Sequence, residues 1–290
     1  MASIHSRSHS PDRSPIAIRN FSKERYVSSD WMERERSALW ATSWLVAGVA
    51  CDVRNPGQFI TFEIGTESII IARGADGRLR AIHNACTHRG TRLVTEPMGV
   101  LRKFVCPYHA WVYGLDGSLE SVPGAARFSN GVPKDKLALR PVEVEEALGL
   151  VFVRLTPGEL SLADFLAPLH EAIGTYRLDL MDVTNDQTVS HLCNWKAIID
   201  NFAELYHVPF IHPDTVAPLV DSSRNLNTIY PNGHARMLAP PPRQTDREHV
   251  RAIDSPPGWR QIDSVGELGR TCTQSYTLFP NWVSPLSNYF

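Results

Sequence analysis

The chain has 290 residues, enough for two domains, and its 43% hydrophobic and 21% charged residues are ordinary for a globular protein. Its formal net charge of −2 gives no reason to expect nucleic acid or an anionic membrane surface as a partner. No apolar run approaches the roughly 20 residues that a membrane-spanning helix needs. The N-terminus lacks the apolar centre of a secretory signal. We therefore expect a cytoplasmic protein without a nucleic-acid or membrane partner.

The beginning of the chain predicts a tail followed by a helical segment. Residues 1–16 are rich in Ser, His and Arg, and we expect them to be disordered. Residues 17–43 are predicted to be helical. Within them, Ser29 and Asp30 are good caps for a helix from about Trp31 to Ala41.

Residues 44–157 show the short β-rich runs and the turn signals of an antiparallel β-domain. The predicted strands lie at residues 44–50, 58–62, 68–72, 80–84, 101–105, 111–113, 140–145 and 148–154. Two of the loops between these strands contain Cys and His residues. A rigid sheet can hold reactive groups on such loops.

The pattern becomes mixed after Pro157, so we expect an α+β domain over residues 158–290. Ser161 and Asp164 resemble a capping box that begins a helix from Leu162 to about Tyr176. The other predicted elements are a strand at 186–192, a helix that begins at Trp195 behind the N-cap Asn194, and a strand at 276–282.

Two cysteines and two histidines form the most informative pattern in the chain. Cys86-x-His88 is followed, after seventeen residues, by Cys106-x-x-His109. A zinc finger of the usual kind groups its cysteines in one pair and its histidines in the other, whereas each pair here contains one of each. Mixed pairs suit a two-iron cluster in which the cysteines bind one iron and the histidines bind the other. A four-ligand zinc site is the alternative, and it predicts a colourless protein.

Polar residues in the helix predicted after Asn194 form a second pattern. Asp200, Glu204 and His207 stand at i, i+4 and i+7, so we expect all three on one helix face. Pro209 is predicted to end this helix and to let His212 swing toward His207. Two histidines and a carboxylate are the ligands of non-haem iron(II) sites that activate oxygen.

The remaining cysteines and histidines have no pattern that indicates chemistry. Three cysteines are predicted to be small buried apolar side chains rather than a disulfide framework: Cys51, Cys193 and Cys272. Four histidines are predicted to be ordinary core or surface residues: His170, His191, His234 and His249.

Both patterns resemble the α subunits of Rieske non-haem iron oxygenases, of the aromatic ring-hydroxylating dioxygenase family. The first match extends to Arg89-Gly90 and Pro107-Tyr108, and the second runs from Trp195 to Pro213. The resemblance implies an all-β Rieske domain at 44–157 followed by a partial helix-grip, START-like catalytic domain. It also implies that residues 17–43 pack on the catalytic domain.

The resemblance implies a role for each residue of the two patterns. The ligands of a 2Fe-2S cluster would be Cys86, His88, Cys106 and His109, and the ligands of a mononuclear iron(II) would be His207 and His212. Glu204 would bridge His207 to His109 of a neighbouring subunit, within a homotrimer that has or lacks an additional β subunit. Asp200 and Asn201 would line the iron site.

The function implied is that of a terminal oxygenase component. A reductase or a ferredoxin would supply electrons, and O2 would be used to hydroxylate or demethylate a small organic substrate, with an aromatic compound as the leading class. Glu rather than Asp at position 204 is closer to members that act on quaternary amines such as choline, carnitine or betaine. A Rieske electron-transfer protein is the alternative, but such a ferredoxin lacks the second pattern.

The family's third iron ligand, usually Asp, lies well beyond the second histidine. The acidic residues that follow His212 are Asp214, Asp221, Asp246, Asp254, Asp263 and Glu267, and none has a motif that singles it out. We therefore expect a C-terminally truncated catalytic domain, in a chain that binds the cluster but holds mononuclear iron poorly.

Overall fold

A computed structural model describes residues 21–242 and 262–286 of the chain. The predicted tail at residues 1–16 and His249 lie outside these ranges. None of the helices within the ranges has the length and the apolar character that a bilayer-spanning helix needs.

The described residues form three antiparallel sheets. The strands are β1 Leu45–Val49, β2 Gln58–Ile64, β3 Glu67–Arg73, β4 Leu79–His83, β5 Met98–Val100, β6 Phe104–Val105, β7 Val112–Tyr113, β8 Leu119–Ser121, β9 Pro141–Ala147, β10 Leu150–Arg154, β11 Leu226–Ile229, β12 Ala235–Ala239, β13 Thr273–Leu278 and β14 Trp282–Leu286. A seven-stranded sheet has the order β1-β10-β9-β4-β3-β2-β5, a three-stranded sheet the order β6-β7-β8, and a four-stranded sheet the order β11-β12-β13-β14.

Short helices precede the first sheet and flank the four-stranded sheet. They are α1 Glu24–Val27, α2 Ser29–Glu35 with a π-helical turn at Arg36–Trp40, α3 Leu162–Leu166, α4 His170–Gly174, α5 Trp195–Phe202, α6 Val208–Ile211 and α7 Glu267–Thr271. An all-β domain followed by a mixed domain confirms the predicted α+β fold class.

Strand β3 shows that apolar side chains pack against both faces of the seven-stranded sheet. Ile69, Ile70 and Ile71 are all fully buried, so both faces of the strand are covered. Ile70 packs into one core with Cys86 and Cys106, whereas Ile69 and Ile71 pack into a second core on the opposite face. Each buried isoleucine contributes about 1.5–3 kcal/mol. The sheet thus forms a rigid support beneath the cysteine loops.

A third core joins the first domain to the second. Phe152 of β10 packs in one cluster with Phe165 of α3 and Tyr276 of β13. The Asn281 side chain then extends the pairing of β1, because its Oδ1 accepts from the Val46 N–H at 3.0 Å and its Nδ2 donates to the Val46 carbonyl at 2.8 Å. The four-stranded sheet is therefore anchored directly to the seven-stranded one.

The helix predicted from Trp31 exists, but its cap was wrongly assigned. Ser28 is the N-cap, in extended backbone, and its Oγ accepts from the Trp31 N–H at 3.3 Å. The helix begins at Ser29 and continues as a π-helical turn that ends at Trp40.

Ser161 is confirmed as the N-cap of the predicted helix, but the helix that follows is interrupted. The Asp164 N–H donates to Ser161 Oγ at 3.1 Å, and that hydroxyl donates to Asp164 Oδ2 at 2.6 Å. Pro168 separates α3 from α4, since it has no N–H to donate within a continuous helix.

Two strand predictions and the prediction for the remaining cysteines were wrong. Residues 186–192 form no strand, and Leu192 is fully exposed, because no neighbouring strand pairs with this segment. Residues 276–282 are not one strand, since β13 ends at Leu278 and the chain turns into β14. Cys193 is exposed, and Cys51 and Cys272 are only partly buried.

Candidate metal centres

The two loops that contain the predicted cluster ligands have the same backbone geometry. In each loop the cysteine N–H donates to the carbonyl five residues later, at 2.9 Å for Cys86 and 2.8 Å for Cys106. The residue four positions later donates back to the cysteine carbonyl, at 2.8 and 2.9 Å. These fourth residues, Gly90 and Ala110, both have left-handed backbone, with φ of 70° and 54°. The chain thus presents two matched Cys–His loops.

The four predicted cluster residues are arranged as two pairs. The free thiols of Cys86 and Cys106 are buried in the same core, with 2% and 3% exposure. The rings of His88 and His109 lie 4.7 Å apart between centroids. Trp111 stacks on His88, with an interplanar angle of 5°. A 2Fe-2S cluster of the Rieske type would fit this division, because two cysteines would bind one iron and two histidines the other.

The protonation and burial of His109 fit a metal ligand. Its Nδ1 is buried and has no hydrogen-bond partner among the described residues. Buried polar atoms are normally paired, so a bound metal explains this one. Burial, together with the nearby His88 and Arg89, lowers the pKa of the His109 imidazole. The neutral ring favoured in this way is the form that binds metal.

Tyr113 was missed by sequence reasoning and lies against a cluster cysteine. Its hydroxyl is 3.2 Å from Cys86 Sγ and 2.9 Å from Thr87 Oγ1. Burial, followed by the contact with Cys86, raises the pKa of Tyr113 to about 12. The phenol therefore keeps its proton at physiological pH. With Cys86 ionised, Tyr113 is the proton donor of this pair.

The second predicted site is built around a break in the helix. Helix α5 ends at Phe202, so the expectation that Asp200, Glu204 and His207 share one helix face was wrong. The Glu204 carboxylate accepts the N–H groups of Tyr206 and His207, the latter at 3.2 Å. A side chain that takes backbone donors in this way competes with a continuing helix.

Pro209 has a different role from the one expected. It lies in the first turn of α6, after the break, where a missing N–H costs nothing. His207 is the residue just before α6 and His212 the residue just after it. Their rings lie 5.6 Å apart between centroids, at 71° to one another. The predicted approach of the two histidines is confirmed.

Glu204 also contacts the ring of His207. Its Oε1 pairs with His207 Nδ1, which leaves Nε2 of that ring for a metal ion. The residues present fit a mononuclear iron held by His207 and His212, with Glu204 orienting one of them. Within residues 21–242 and 262–286, no three His, Cys, Asp or Glu side chains converge around a single ion.

Asp200 and Asn201 occupy different surroundings from Glu204. Asp200 Oδ2 accepts from the Tyr26 hydroxyl at 2.6 Å, which directs the carboxylate toward the N-terminal segment. Asn201 is exposed. The placement of these two residues beside the iron stays a prediction.

Glu35 links the N-terminal segment to the first turn of α5 through hydrogen bonds and an ion pair. Its carboxylate accepts from Trp195 Nε1 at 2.9 Å and from Lys196 Nζ at 2.7 and 2.9 Å. The Trp40 ring packs edge-on against Trp195, with centroids 4.9 Å apart. No local motif marks Glu35 in the sequence, because its partners lie about 160 residues away.

Comparison with known proteins matches both domains of the chain to one family. Residues 43–140 match the Rieske [2Fe-2S] domain, and residues 178–288 match the catalytic domain of ring hydroxylating alpha subunits. The glycine betaine monooxygenase oxygenase subunit of Pseudomonas aeruginosa is 33% identical over 196 residues, which are 68% of this chain and 45% of that protein. The carnitine monooxygenase oxygenase subunit of Escherichia coli K12 is 34% identical over 194 residues, which are 65% of this chain and 50% of that protein.

A solved structure shows the same architecture over most of the chain. It is a quaternary ammonium Rieske monooxygenase, described for carnitine oxidation by gut microbiota and inter-subunit electron transfer. It is 26% identical, with a TM-score of 0.73 over 88% of this chain and 64% of that chain. The present chain spans about half the length of the curated relatives it matches. With a Rieske domain followed by a ring-hydroxylating α-subunit catalytic domain, the chain belongs to the Rieske non-haem iron oxygenase α-subunit family.

Proposed function

We propose that the chain is the oxygenase component of a Rieske monooxygenase that oxidises a small quaternary amine. The observation that carries the proposal is the presence, on one chain, of paired Cys–His loops and of a carboxylate-oriented His207 beside His212. When bound, the cluster supplies single electrons and the mononuclear iron activates oxygen. A reductase or a ferredoxin is the proposed electron donor. The free cysteines support a cytoplasmic location.

Glu204 has two tasks in this proposal. One of its oxygens holds the His207 ring, while the backbone N–H of His207 fixes the other oxygen. The side chain of Glu204 is still 40% exposed, so a donor from outside the chain can reach it. We assign that donor to His109 of a neighbouring copy, in a homotrimer with or without a β subunit.

Exposed apolar residues near both centres support contact between copies. Near the cluster, Val105 and Tyr108 are 52% and 57% exposed. Near His207, Tyr206, Phe210 and Ile211 are 83%, 74% and 67% exposed. Apolar side chains exposed beside both centres would be covered by such a contact. Pairing the first surface with the second gives a head-to-tail contact, the type of contact from which closed rings such as a trimer are built.

The experiment that tests this path is the Glu204→Gln substitution. Gln has the same shape but no charge, so we expect the visible spectrum of the cluster to stay intact. Turnover is expected to fall by roughly 10–100-fold, the usual cost of losing a partner that orients a metal ligand. Glu145→Gln, at an exposed position of β9, is the matched control and should retain activity. Wild-type turnover in the Glu204 variant would contradict the proposal.

The substrate class is tested with a panel of compounds. The relatives act on glycine betaine and on carnitine, and this supports a quaternary amine over the aromatic substrate expected first. We expect oxygen-dependent product from carnitine, glycine betaine or choline, and none from naphthalene. Product from naphthalene alone would reassign the chain to aromatic ring oxidation.

A further inference from the structure

The two ligand loops close at their bases in different ways. The second loop, which contains Cys106, lies directly on the β6–β7 hairpin. The first loop, which contains Cys86, has no such hairpin, because β4 ends at His83 and the next strand in the chain begins only at Met98. Strand pairing therefore cannot hold the two ends of the first loop together.

The side chain of Asn84 takes the place of that pairing. Its Oδ1 accepts from the Val94 N–H at 3.1 Å and its Nδ2 donates to the Val94 carbonyl at 2.7 Å, so it bonds both backbone groups of one residue as a paired strand does. Oδ1 also accepts from the Leu93 N–H at 2.9 Å, and Nδ2 also donates to Ser68 Oγ at 3.1 Å. Asn84 is 2% exposed, and all four bonding positions of its amide are filled.

Ser68 and Glu63 extend this bridge across strands β3 and β2. The Ser68 carbonyl accepts from the Asn84 N–H at 2.8 Å, and the Ser68 hydroxyl donates to the Glu63 carboxylate. That carboxylate also accepts from both terminal nitrogens of Arg92, at 3.1 and 2.7 Å. Asn84 and Arg92 stand before and after the first loop, so the rigid sheet holds both of its ends.

We propose that Asn84 is a positioning residue for the 2Fe-2S cluster and keeps the first ligand loop closed. Between its anchor points lie Cys86 and His88, which supply one ligand to each iron. Without the carboxamide, the N–H groups of Leu93 and Val94 lose their acceptor in a buried core, and unpaired buried groups favour opening of the loop. The proposal rests on the cluster alone and not on the reaction at the mononuclear iron.

The rate at which the cluster is lost from Asn84→Ala tests this role. The cluster-containing protein is mixed with an excess of EDTA, and the visible absorbance of the cluster is followed. We expect loss about 10–100-fold faster than in the wild type, the usual effect of removing a group that holds metal ligands in place.

Asn281→Ala is the matched control. Asn281 makes the same pair of bonds, to the N–H and the carbonyl of Val46. Val46 lies on β1, at one end of the seven-stranded sheet, and packs in a different core from the cluster cysteines. We expect this variant to have a lower Tm but to lose its cluster at the wild-type rate.

Two further readouts separate positioning from a general loss of stability. In Asn84→Ala, we expect a broader EPR signal of the reduced cluster, because a loosened loop holds its ligands in more than one orientation. We also expect faster exchange of the Cys86 and Gly90 amide hydrogens, whose bonds close the loop. Both properties should stay at wild-type values in Asn281→Ala.

Ser68→Ala is a milder variant, because it removes only one of the four bonds to the Asn84 side chain. Its rate of cluster loss should lie between those of the wild type and Asn84→Ala, and it decides the question if Asn84→Ala does not fold. Loss of the cluster from Asn84→Ala, or in that case from Ser68→Ala, no faster than from Asn281→Ala overturns the proposal. None of these outcomes changes the proposed oxygenase function, which is tested separately through Glu204.

Discussion

The Tyr113 hydroxyl lies 3.2 Å from the Sγ of Cys86. Burial of the ring raises the pKa of this hydroxyl, so it stays protonated. A hydrogen bond to a cluster sulfur stabilises the reduced cluster, whose sulfurs have more negative charge, and thereby raises the reduction potential. Tyr113→Phe removes this bond together with the contacts of the same hydroxyl with the N–H and Oγ1 of Thr87. We expect the variant to keep its cluster and to have a lower potential. A hydrogen bond that is about 1 kcal/mol stronger in the reduced cluster than in the oxidised one raises the one-electron reduction potential by roughly 40 mV. The variant should lose this contribution.

A redox titration followed by visible absorbance measures this shift. Tyr108→Phe is the control, because Tyr108 also adjoins the cluster loops but its hydroxyl bonds no cysteine. Equal potentials for Tyr113→Phe and the wild type would show that the Tyr113 contact has no electronic effect.

The matched backbone of the two ligand loops predicts opposite effects of two substitutions. Ala110 has a left-handed φ of 54°, which costs an L-residue with a side chain roughly 1–2 kcal/mol. Ala110→Gly should therefore raise the Tm of the cluster-containing protein. Gly90→Ala should lower it, although a Cβ at position 90 meets no atom within 4 Å. Thermal unfolding monitored by loss of cluster absorbance compares the two, and shifts of the same sign would refute the backbone explanation.

The Glu35 contacts predict that the N-terminal segment stabilises the helix that leads to the iron site. Glu35 and Lys196 are largely buried, with side chains 11% and 18% exposed, so Glu35→Gln leaves an ammonium group without its charge partner. We expect a loss of about 1–3 kcal/mol in unfolding free energy. We also expect faster amide hydrogen exchange in residues 195–202.

The control for this prediction is Glu33→Gln. Glu33 also pairs with a cation, Arg36, but both side chains are more than half exposed. Such surface pairs contribute about 0–1 kcal/mol. If the two variants lose equal stability, then the Glu35 contacts have no special role.

His234 predicts a dependence of stability on pH. Its Nε2–H donates to the Phe165 carbonyl at 2.8 Å, and its Nδ1 accepts from the Phe279 N–H at 3.1 Å, so the folded protein needs the neutral ring. Burial lowers the pKa of His234. Below about pH 6.5 the His234 imidazole becomes protonated in the unfolded chain, whereas it stays neutral in the folded protein. Stability should therefore fall as the pH is lowered below that value.

Thermal unfolding at about pH 7.5 and 5.5 isolates this contribution. We expect the wild type to lose more Tm between the two values than His234→Gln, whose side chain does not ionise. Equal losses in both proteins would show that His234 does not contribute to the pH dependence.

The sequence was informative where a local pattern determines the structure. The β-rich runs around Ile69–Ile71 and the N-cap Asn194 depend on neighbouring residues only, and the structure confirms them. The spacing of the Cys86 and Cys106 loops indicated paired ligands for the same reason. These features need no knowledge of distant contacts.

Features that depend on distant or competing contacts could not be predicted. Asp200 pairs with Tyr26, 174 residues away, which a helical wheel does not reveal. The helix ends at Phe202 because the Glu204 carboxylate takes backbone N–H groups, whereas propensity alone favours continuation. Residues 186–192 have strand-like alternation but no neighbouring strand, so the predicted strand does not form.

The presence of two different metal centres on one chain is tested most directly by EPR spectroscopy of anaerobically purified protein supplied with iron(II). After reduction with dithionite, we expect the signal of a 2Fe-2S cluster with mixed Cys and His ligands, lost in His109→Ala. A separate sample treated with nitric oxide should show the high-spin iron–nitrosyl signal of the mononuclear site, at less than one iron per chain because this chain is expected to hold that iron weakly. That signal should disappear in His207→Ala while the cluster signal remains. An all-cysteine type of cluster signal, or a nitrosyl signal that survives His207→Ala, would contradict the account.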